Sequence, residues 1–79
     1  MPRYHLNVLG RIDLMDREGV ERDTLETVRA EAIAAARDLI ATEIMEGRAV
    51  YLSHRIEIRD GTGNLLDTIR FADVVDLRP

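Results

Sequence analysis

The sequence contains no cysteine, and this absence excludes disulfide bonds and thiolate-based metal sites. Its longest uninterrupted apolar run is also far shorter than the about 20 residues that a membrane-spanning helix requires. A chain of 79 residues buries only about 60–65% of the surface that its unfolded form exposes. Because small domains without disulfides or metals commonly gain stability by associating, we expect a homo-oligomer, most simply a dimer.

Lysine is absent as well, so that all eleven basic residues are arginine. Arginine forms bidentate contacts with carboxylates and phosphates that lysine does not form. Composition alone builds no such site, however, and codon bias in a GC-rich genome accounts for the same excess. The net charge of −4 disfavours a dedicated nucleic-acid binder, because such binding depends on the neutralisation of phosphates.

The composition is that of a globular protein, since 46% of the residues are apolar and 33% are charged. The length leaves room for one domain, which we assign to residues 1–79. The opening segment, Met1 to His5, lacks the apolar core of a secretory signal and leads directly into strand-like alternation. We therefore expect a single cytoplasmic domain from a bacterium.

Two stretches alternate between apolar and polar side chains, which is the pattern of a half-buried strand. The first covers residues 3–9, and a shorter strand over residues 12–15, followed by a turn, is expected after it. The second stretch begins at His54, whose side chain is expected on the same inward face of the sheet as that of Ile56.

A β-hairpin is predicted near the end of the sequence. Residues 60–64 (DGTGN) include several that tolerate positive φ, and the run from Leu65 to Phe71 forms the returning strand with Ile69 and Phe71 directed inward. Leu65 and Leu66 are adjacent and cannot both face the core, so a β-bulge or a partly exposed leucine is expected there. The tail after Phe71 is expected to be a turn or an edge segment.

A long helix is predicted from Thr24 to about Glu46, because this alanine-rich stretch contains no proline or glycine. Asp23 is the expected N-cap, and Glu26 stands three residues later as in a capping box. Gly47 is a natural C-terminal stop. The order of elements therefore predicts an α+β fold: a three- or four-stranded antiparallel sheet with one long amphipathic helix packed on one face.

The helix is apolar over more of its circumference than one sheet covers. The stripe expected to cover the sheet comprises Leu25, Val28, Ala32, Ala35, Ala36 and Leu39, with Ile40 at its edge. Further round the helix, the predicted helix interaction face comprises Ile33, Ile40, Ile44 and Met45. Exposed β-branched residues leave an apolar patch, which a second copy or a partner helix would bury. The alternative is that the alanines beside them reflect helix propensity only.

The outer face of the sheet is a second candidate surface. The predicted basic sheet face comprises Arg3, His5, Arg55, Arg59 and Arg70. Such a face suits an RNA backbone or an acidic protein segment, although it has no aromatic residues on which bases stack. The alternative is an ordinary solvated face with cross-strand pairs of arginine and glutamate, each of which contributes little.

No arrangement of residues for catalysis or metal binding is visible. The two histidines, His5 and His54, are predicted on opposite faces of the sheet, and no pair has ligand spacing. The only serine, Ser53, adjoins His54, but neighbouring strand residues point to opposite faces and form no nucleophile–base pair. Residues 60–64 lack the alternating acidic ligands of a calcium loop. We predict a protein that is not an enzyme and binds no cofactor or metal, unless two subunits complete a site at an interface with His5 or His54.

Several segments together resemble a family of short bacterial proteins that is described as a domain of unknown function. They are Met1-Pro2-Arg3-Tyr4-His5, the acidic-glycine segment 16–21, the helical segment 30–37, Ile56-Glu57-Ile58, the glycine turn 60–63, and Leu66, Ile69 and Phe71. The resemblance covers nearly the whole chain and implies no activity and no catalytic residues.

A weaker likeness links the chain to HicB-type antitoxin domains, which also place strands before an acidic helix entry and an alanine-rich helix. The chain lacks that family's glycine–proline loop before the helix and its DNA-binding segment, so this likeness implies a binding module by order of elements alone. We therefore expect a homodimeric protein-interaction module. The alternative is a nucleic-acid-associated or antitoxin-like protein that uses the basic sheet face.

Overall fold

The computed structural model describes residues 1–11 and 13–79, which form a sheet with a long helix on one face. The strands are β1 (Arg3–Leu9), β2 (Val20–Glu21), β3 (Arg55–Asp60) and β4 (Leu65–Arg70). The helices are α1 (Leu25–Met45) and α2 (Phe71–Val74). All neighbouring strands are antiparallel, in the order β2-β1-β3-β4. The predicted α+β fold is therefore confirmed, with four strands and a short second helix.

The central pair of strands shows why alternation defines the two faces of the sheet. Leu6 lies opposite Ile58 and Val8 lies opposite Ile56, so apolar side chains meet on the face beneath α1. His5 lies opposite Arg59 on the other face. The predicted strand over residues 3–9 has the bounds of β1.

The predicted hairpin is formed by β3 and β4. Asp60 closes its turn: Oδ1 accepts hydrogen bonds from the Thr62 amide at 2.9 Å and the Asn64 amide at 3.0 Å. The register shifts between Ile58 and Arg59, and both leucines of the bulge region are exposed, Leu65 by 50% and Leu66 by 39%. The predicted bulge and the exposed leucine are both confirmed.

The N-cap of α1 is Thr24, so the prediction of Asp23 was wrong by one residue. Thr24 has an extended backbone, with φ −137° and ψ 154°, and its Oγ1 accepts from the Thr27 amide at 3.2 Å. Glu26 consequently lies one position too early for a capping box. The predicted stop is confirmed, because Gly47 has φ +71° and its N–H donates to the Ile44 carbonyl.

Helix α1 packs on β3, β4 and α2. Its buried residues are Val28, Ala32, Ala36 and Ile40. The two alanines are fully buried and, having only a methyl group, allow the helix backbone to lie close to the sheet. Because the helix lies to the β4 side of the sheet, Ile40 is central to the core at 3% exposure. Leu39, which was expected to cover the sheet, is 38% exposed.

The connection between β1 and α1 differs from the prediction of a strand over residues 12–15. Ile12 lies outside the described residues, and Leu14 forms an isolated bridge with Val8, exchanging hydrogen bonds of 2.9 and 2.7 Å. The second strand is instead the two-residue β2, in which Val20 lies opposite Tyr4. Two residues are too few to show a periodicity, so the sequence pattern did not reveal β2.

The tail begins with a single helical turn rather than the predicted turn or edge segment. Phe71 and Val74 of α2 are both buried, and the Arg37 Nε–H donates to the Val74 carbonyl at 3.0 Å. This bond connects α1 to α2 and fixes the tail beneath the helix. Among the described residues, neither helix combines the length and the apolarity needed to cross a bilayer.

A candidate protein-binding groove

The position of α1 leaves part of the inner sheet face uncovered. Ile56 and Ile58 of β3 are fully buried beneath the helix, whereas Leu6 and Val8 of the neighbouring β1 are only half-buried. A cavity of about 280 Å³ opens over β1 at the C-terminal end of α1. We call this cavity the α1–β1 groove.

The α1–β1 groove is mainly apolar, with polar groups at its rim. Its apolar lining comprises Val8, Leu14, Leu39, Ile40, Ala49, Val50 and Phe71. Its polar lining comprises Arg11, Glu43, Tyr51 and His54. An apolar hollow with a few converging polar groups is the usual form of a binding site in proteins.

Three aromatic rings form one wall of the groove. The Tyr51 and His54 rings are stacked, with centroids 5.2 Å apart, and His54 meets Phe71 edge-on at 5.8 Å. The guanidinium of Arg11 lies over the Tyr51 ring, 5.1 Å from its centroid, and donates to the Tyr51 hydroxyl at 2.6 Å. This geometry combines a cation–π contact with a hydrogen bond and holds Arg11 at the rim.

His54 is fixed by the backbone of the β1–β2 connection. Its Nε2 accepts a hydrogen bond from the Arg11 amide at 3.3 Å. A Cβ atom at Gly10 would lie only 2.4 Å from the His54 ring, so the backbone can approach the ring this closely only with glycine at position 10. His54 therefore holds the connection against β3 and, through Arg11, shapes the rim.

Charges on the helical side of the groove are paired with one another. Arg48 donates to both carboxylate oxygens of Glu43, each at 2.8 Å, and it also pairs with Glu46. The hydrogen bonds from Arg48 lower the pKa of Glu43 although desolvation opposes them, and the hydrogen bonds to Glu43 raise the pKa of Arg48. Glu43 thus shares the charge of Arg48 with Glu46, whereas Arg11 is hydrogen-bonded to the Tyr51 hydroxyl.

The predicted helix interaction face does not form one exposed surface. Ile40 belongs to the core and contributes to the bottom of the groove, and Ile33 packs half-buried against the core. Ile44 and Met45 are exposed, by 56% and 84%. The helical periodicity placed Ile40 at the edge of the stripe that covers the sheet, whereas α1 lies towards β4 and α2 and Ile40 belongs to the core.

The residues of the predicted basic sheet face do lie together on the outer face. His5 stands opposite Arg59, and Arg55 stands opposite Arg70. Part of their charge is compensated, but on β3 this occurs within the strand rather than across strands as the alternative interpretation expected: Arg59 pairs with Glu57 at 2.8 Å, and Arg55 lies 3.6 Å from the same carboxylate. Arg3 pairs with Glu21 on β2 at 2.8 Å.

Part of the outer face is covered by the β1–β2 connection, which the sequence did not reveal. Asn7, on that face, is only 4% exposed, and its Oδ1 accepts from the Asp16 amide at 2.8 Å. Asp16 in turn accepts from the amides of Leu6 and Gly19, and its carbonyl accepts from Nδ1 of His5 at 2.8 Å. Desolvation raises the pKa of Asp16, but these backbone hydrogen bonds and the nearby His5 outweigh it, so the pKa is lowered.

The two histidines lie on opposite sides of the sheet, His5 beneath the β1–β2 connection and His54 in the groove. In the part of the chain that the structure describes, no three histidine or carboxylate side chains are grouped so as to hold a metal ion. The groove itself was missed by sequence reasoning, because Arg11 and Tyr51 are 40 residues apart and no local pattern connects them.

Comparison with known proteins adds one positive result. No curated protein and no solved structure matches the chain. The sequence model of the family described as Domain of unknown function (DUF6894) matches residues 3–72. This match extends from the start of β1 into α2, and it confirms the predicted resemblance to a family of uncharacterised function. The chain therefore belongs to the DUF6894 family.

Proposed function

We propose that the protein is a non-enzymatic interaction module of the bacterial cytoplasm, that it acts as a homodimer, and that it binds a segment of a partner protein in the α1–β1 groove. The observation that carries this proposal is the open apolar groove itself. Leu14, Leu39 and Tyr51 remain substantially exposed around it. Burial of such apolar surface against a partner contributes a favourable free energy of about 25 cal/mol per Å².

The size of the groove suits one anchoring side chain of a partner. Ligand and cofactor pockets usually measure about 300–1,000 Å³, and the groove, at about 280 Å³, lies just below that range. Partner segments commonly insert a single large apolar side chain into a pocket of this kind, and such anchors contribute much of the binding energy.

The charges at the rim select the residues that flank the anchor. Arg11 is bonded to the Tyr51 hydroxyl, whereas the carboxylate of Glu43 is taken by Arg48. Arg11 is the only arginine among the described residues that line the groove, and its side-chain hydrogen bond goes to a hydroxyl rather than to a carboxylate. The occupant that fits is a segment with a large apolar side chain next to an acidic one, whose carboxylate would bind the Arg11 guanidinium.

The polar groups of the groove support binding rather than catalysis. Nε2 of His54 accepts from the Arg11 amide, and the Tyr51 hydroxyl and the Glu43 carboxylate each accept from an arginine. A general base must be within hydrogen-bonding reach of a substrate proton, and these acceptors already have protein donors.

A peptide-display selection tests the proposal, because random sequences stand in for a partner that is not yet identified. Random dodecapeptides are selected on the wild-type protein after depletion on the Leu39→Arg variant, and the Met45→Arg variant serves as the matched control on the exposed side of α1. We expect enriched peptides to carry Leu, Ile, Phe or Trp beside Asp or Glu, and to bind the Met45→Arg variant as well as the wild type. Enrichment of sequences without this pairing, or no enrichment, would contradict the proposal.

A second candidate function is association with nucleic acid through the basic sheet face. Arg55 and Arg70 are directly opposite each other, and like charges in that position are destabilising unless an anion compensates them. A fluorescently labelled single-stranded oligonucleotide provides the probe. Binding that falls steeply between about 50 and 200 mM salt, and is lost when Arg55 and Arg59 are both changed to alanine, would favour this candidate. Unchanged binding in the double variant would remove it.

A further inference from the structure

His54 forms a hydrogen bond that exists only while its ring is neutral. The Arg11 amide lies 3.3 Å from Nε2 of His54 and donates to it. Because a backbone N–H can only donate, Nε2 must carry a lone pair, and the proton of the neutral ring is on Nδ1. Protonation of the ring places a second proton on Nε2, so that two donors face each other and the bond to Arg11 is lost.

The backbone of Gly10 and Arg11 cannot adapt to a protonated ring without moving. A Cβ atom at Gly10 would lie 2.4 Å from the nearest atom of the His54 ring, so the backbone already lies directly against the ring. The ring itself is held by Tyr51, stacked at 5.2 Å, and by Phe71, which it meets edge-on at 5.8 Å. Gly10 and Arg11 are both exposed, and their backbone is therefore the part that moves away.

The charged groups around His54 act on a protonated ring in opposite directions. The Arg11 guanidinium lies over the aromatic ring against which His54 is stacked, 5.1 Å from its centroid, and repels a second positive charge. On α1, the hydrogen bonds from Arg48 lower the pKa of Glu43 and the charge of His54 lowers it further, so Glu43 attracts a protonated ring. The Asp13 carboxylate is bonded to a backbone amide of its own segment, and β1 and α2 line the groove with apolar side chains. Acid thus exchanges the contact with Arg11 for an attraction towards Glu43.

The other histidine of the chain holds its partner in acid as well as at neutral pH. Nδ1 of His5 lies 2.8 Å from the Asp16 carbonyl, which can only accept, so His5 donates in both its neutral and its protonated form. A positive charge on His5 is also favourable beside the Asp16 carboxylate. Acid therefore leaves the Asp16 end of the β1–β2 connection in place and releases only the end at Gly10 and Arg11.

We propose that the α1–β1 groove loses affinity for its partner in acid: protonation of His54 releases the Arg11 backbone, and the Arg11 guanidinium leaves the rim. The loss of affinity rests on the proposed function, because it requires a partner carboxylate that binds Arg11, whereas the release of the backbone does not. Leu14 keeps its two hydrogen bonds to Val8, so the apolar lining remains and only the recognition of the acidic residue is lost.

Nuclear magnetic resonance of the protein without a partner tests the release. The charge of His54 is followed through its ring ¹³C–¹H signals between about pH 5 and 8, the range in which histidine side chains change charge. The mobility of the backbone is followed through the heteronuclear ¹⁵N NOE. We expect the NOE of Arg11 to fall as His54 becomes charged and that of Leu14 to stay constant. An unchanged Arg11 NOE, or a His54 ring that stays neutral down to about pH 5, would overturn the proposal.

Isothermal titration with a selected peptide at both ends of this pH range tests the effect on binding. The wild type should bind at least about tenfold more weakly in acid, because a hydrogen bond to a charged group is lost. The His54→Gln variant should bind equally at both pH values, because its side-chain oxygen accepts from the Arg11 amide in acid as well. The His5→Gln variant is the matched control and should lose affinity as the wild type does.

The outcomes separate the pH response from the proposed function. No loss of affinity in the wild type, or an equal loss in the His54→Gln variant, would overturn the control of the groove by His54. A failure of every peptide to bind at neutral pH would instead contradict the proposed function and the loss of affinity that rests on it. The resonance experiment would still decide whether His54 releases Arg11, because that experiment requires no partner.

Discussion

Among single residues, the two glycines with similar φ angles, Gly19 and Gly47, show how surroundings determine a residue's importance. Gly19 has φ +74°, and a Cβ atom there would lie 2.7 Å from the Tyr4 carbonyl oxygen. Gly47 has φ +71°, but a Cβ atom there would meet nothing within 4 Å. The first glycine allows β2 to reach β1, whereas the second only ends α1.

The first prediction compares alanine substitutions at these two glycines. Gly47→Ala should lower the free energy of unfolding by about 1 kcal/mol, which is the cost of the left-handed conformation alone. Gly19→Ala should cost about 1–3 kcal/mol more, because the backbone of β1 must also move. Urea denaturation of both variants measures the difference, and equal losses would contradict the proposed close contact at Gly19.

The second prediction concerns Asp60 in the hairpin turn. Hydrogen bonds from the Thr62 hydroxyl and from the Asn64 and Thr62 amides lower the pKa of Asp60 from its usual 3.8 to about 2. Because the pKa of Asp60 is lower in the folded state, its ionised carboxylate stabilises the fold fully above about pH 4, and this stabilisation is lost as the pH falls towards 2. The Asp60→Asn variant should lose less stability than the wild type over this interval in pH-dependent urea melts. Parallel curves for the two proteins would show that the turn does not bind the ionised carboxylate.

Among the strands and helices, sequence patterns predicted the elements that are long enough to show a strand or helix periodicity and missed the shorter ones. The bounds of β1 followed from alternation, and the extent of α1 followed from composition and Gly47. Strand β2 and helix α2 are too short to show a period, and both depend on contacts distant in sequence, such as the bond from Arg37 to Val74.

The start of α1 gives the third prediction. Thr24 accepts from the Thr27 amide, so Thr24→Ala should destabilise the protein by about 1 kcal/mol. Asp23 precedes the cap, and Asp23→Ala should change the stability by less than about 0.5 kcal/mol, as is usual for surface positions. Thermal or urea unfolding of both variants decides between the two caps, and a larger loss for Asp23→Ala would restore the capping box predicted from sequence.

At the scale of the whole molecule, the position of α1 across the sheet determines which side chains are buried and where the groove opens. The helical periodicity predicted that α1 has an apolar side. It could not determine which strands that side covers, because the position of α1 on the sheet also depends on its packing against α2. The helix covers β3, β4 and α2, which buries Ile40 and leaves Leu39 beside the open groove. The basic sheet face was predictable, because strand alternation alone assigns its residues to one side.

The central claim is that the α1–β1 groove binds a partner's apolar side chain next to an acidic one. Isothermal titration with a peptide selected on the wild type tests it most directly, with the Leu39→Arg, Arg11→Glu and Met45→Arg variants compared at equal folded concentration. The groove predicts at least about tenfold weaker binding for the first two variants, or about 1.4 kcal/mol, and unchanged affinity for Met45→Arg. Equal affinity of all four proteins for the peptide would contradict the claim and assign binding to another surface.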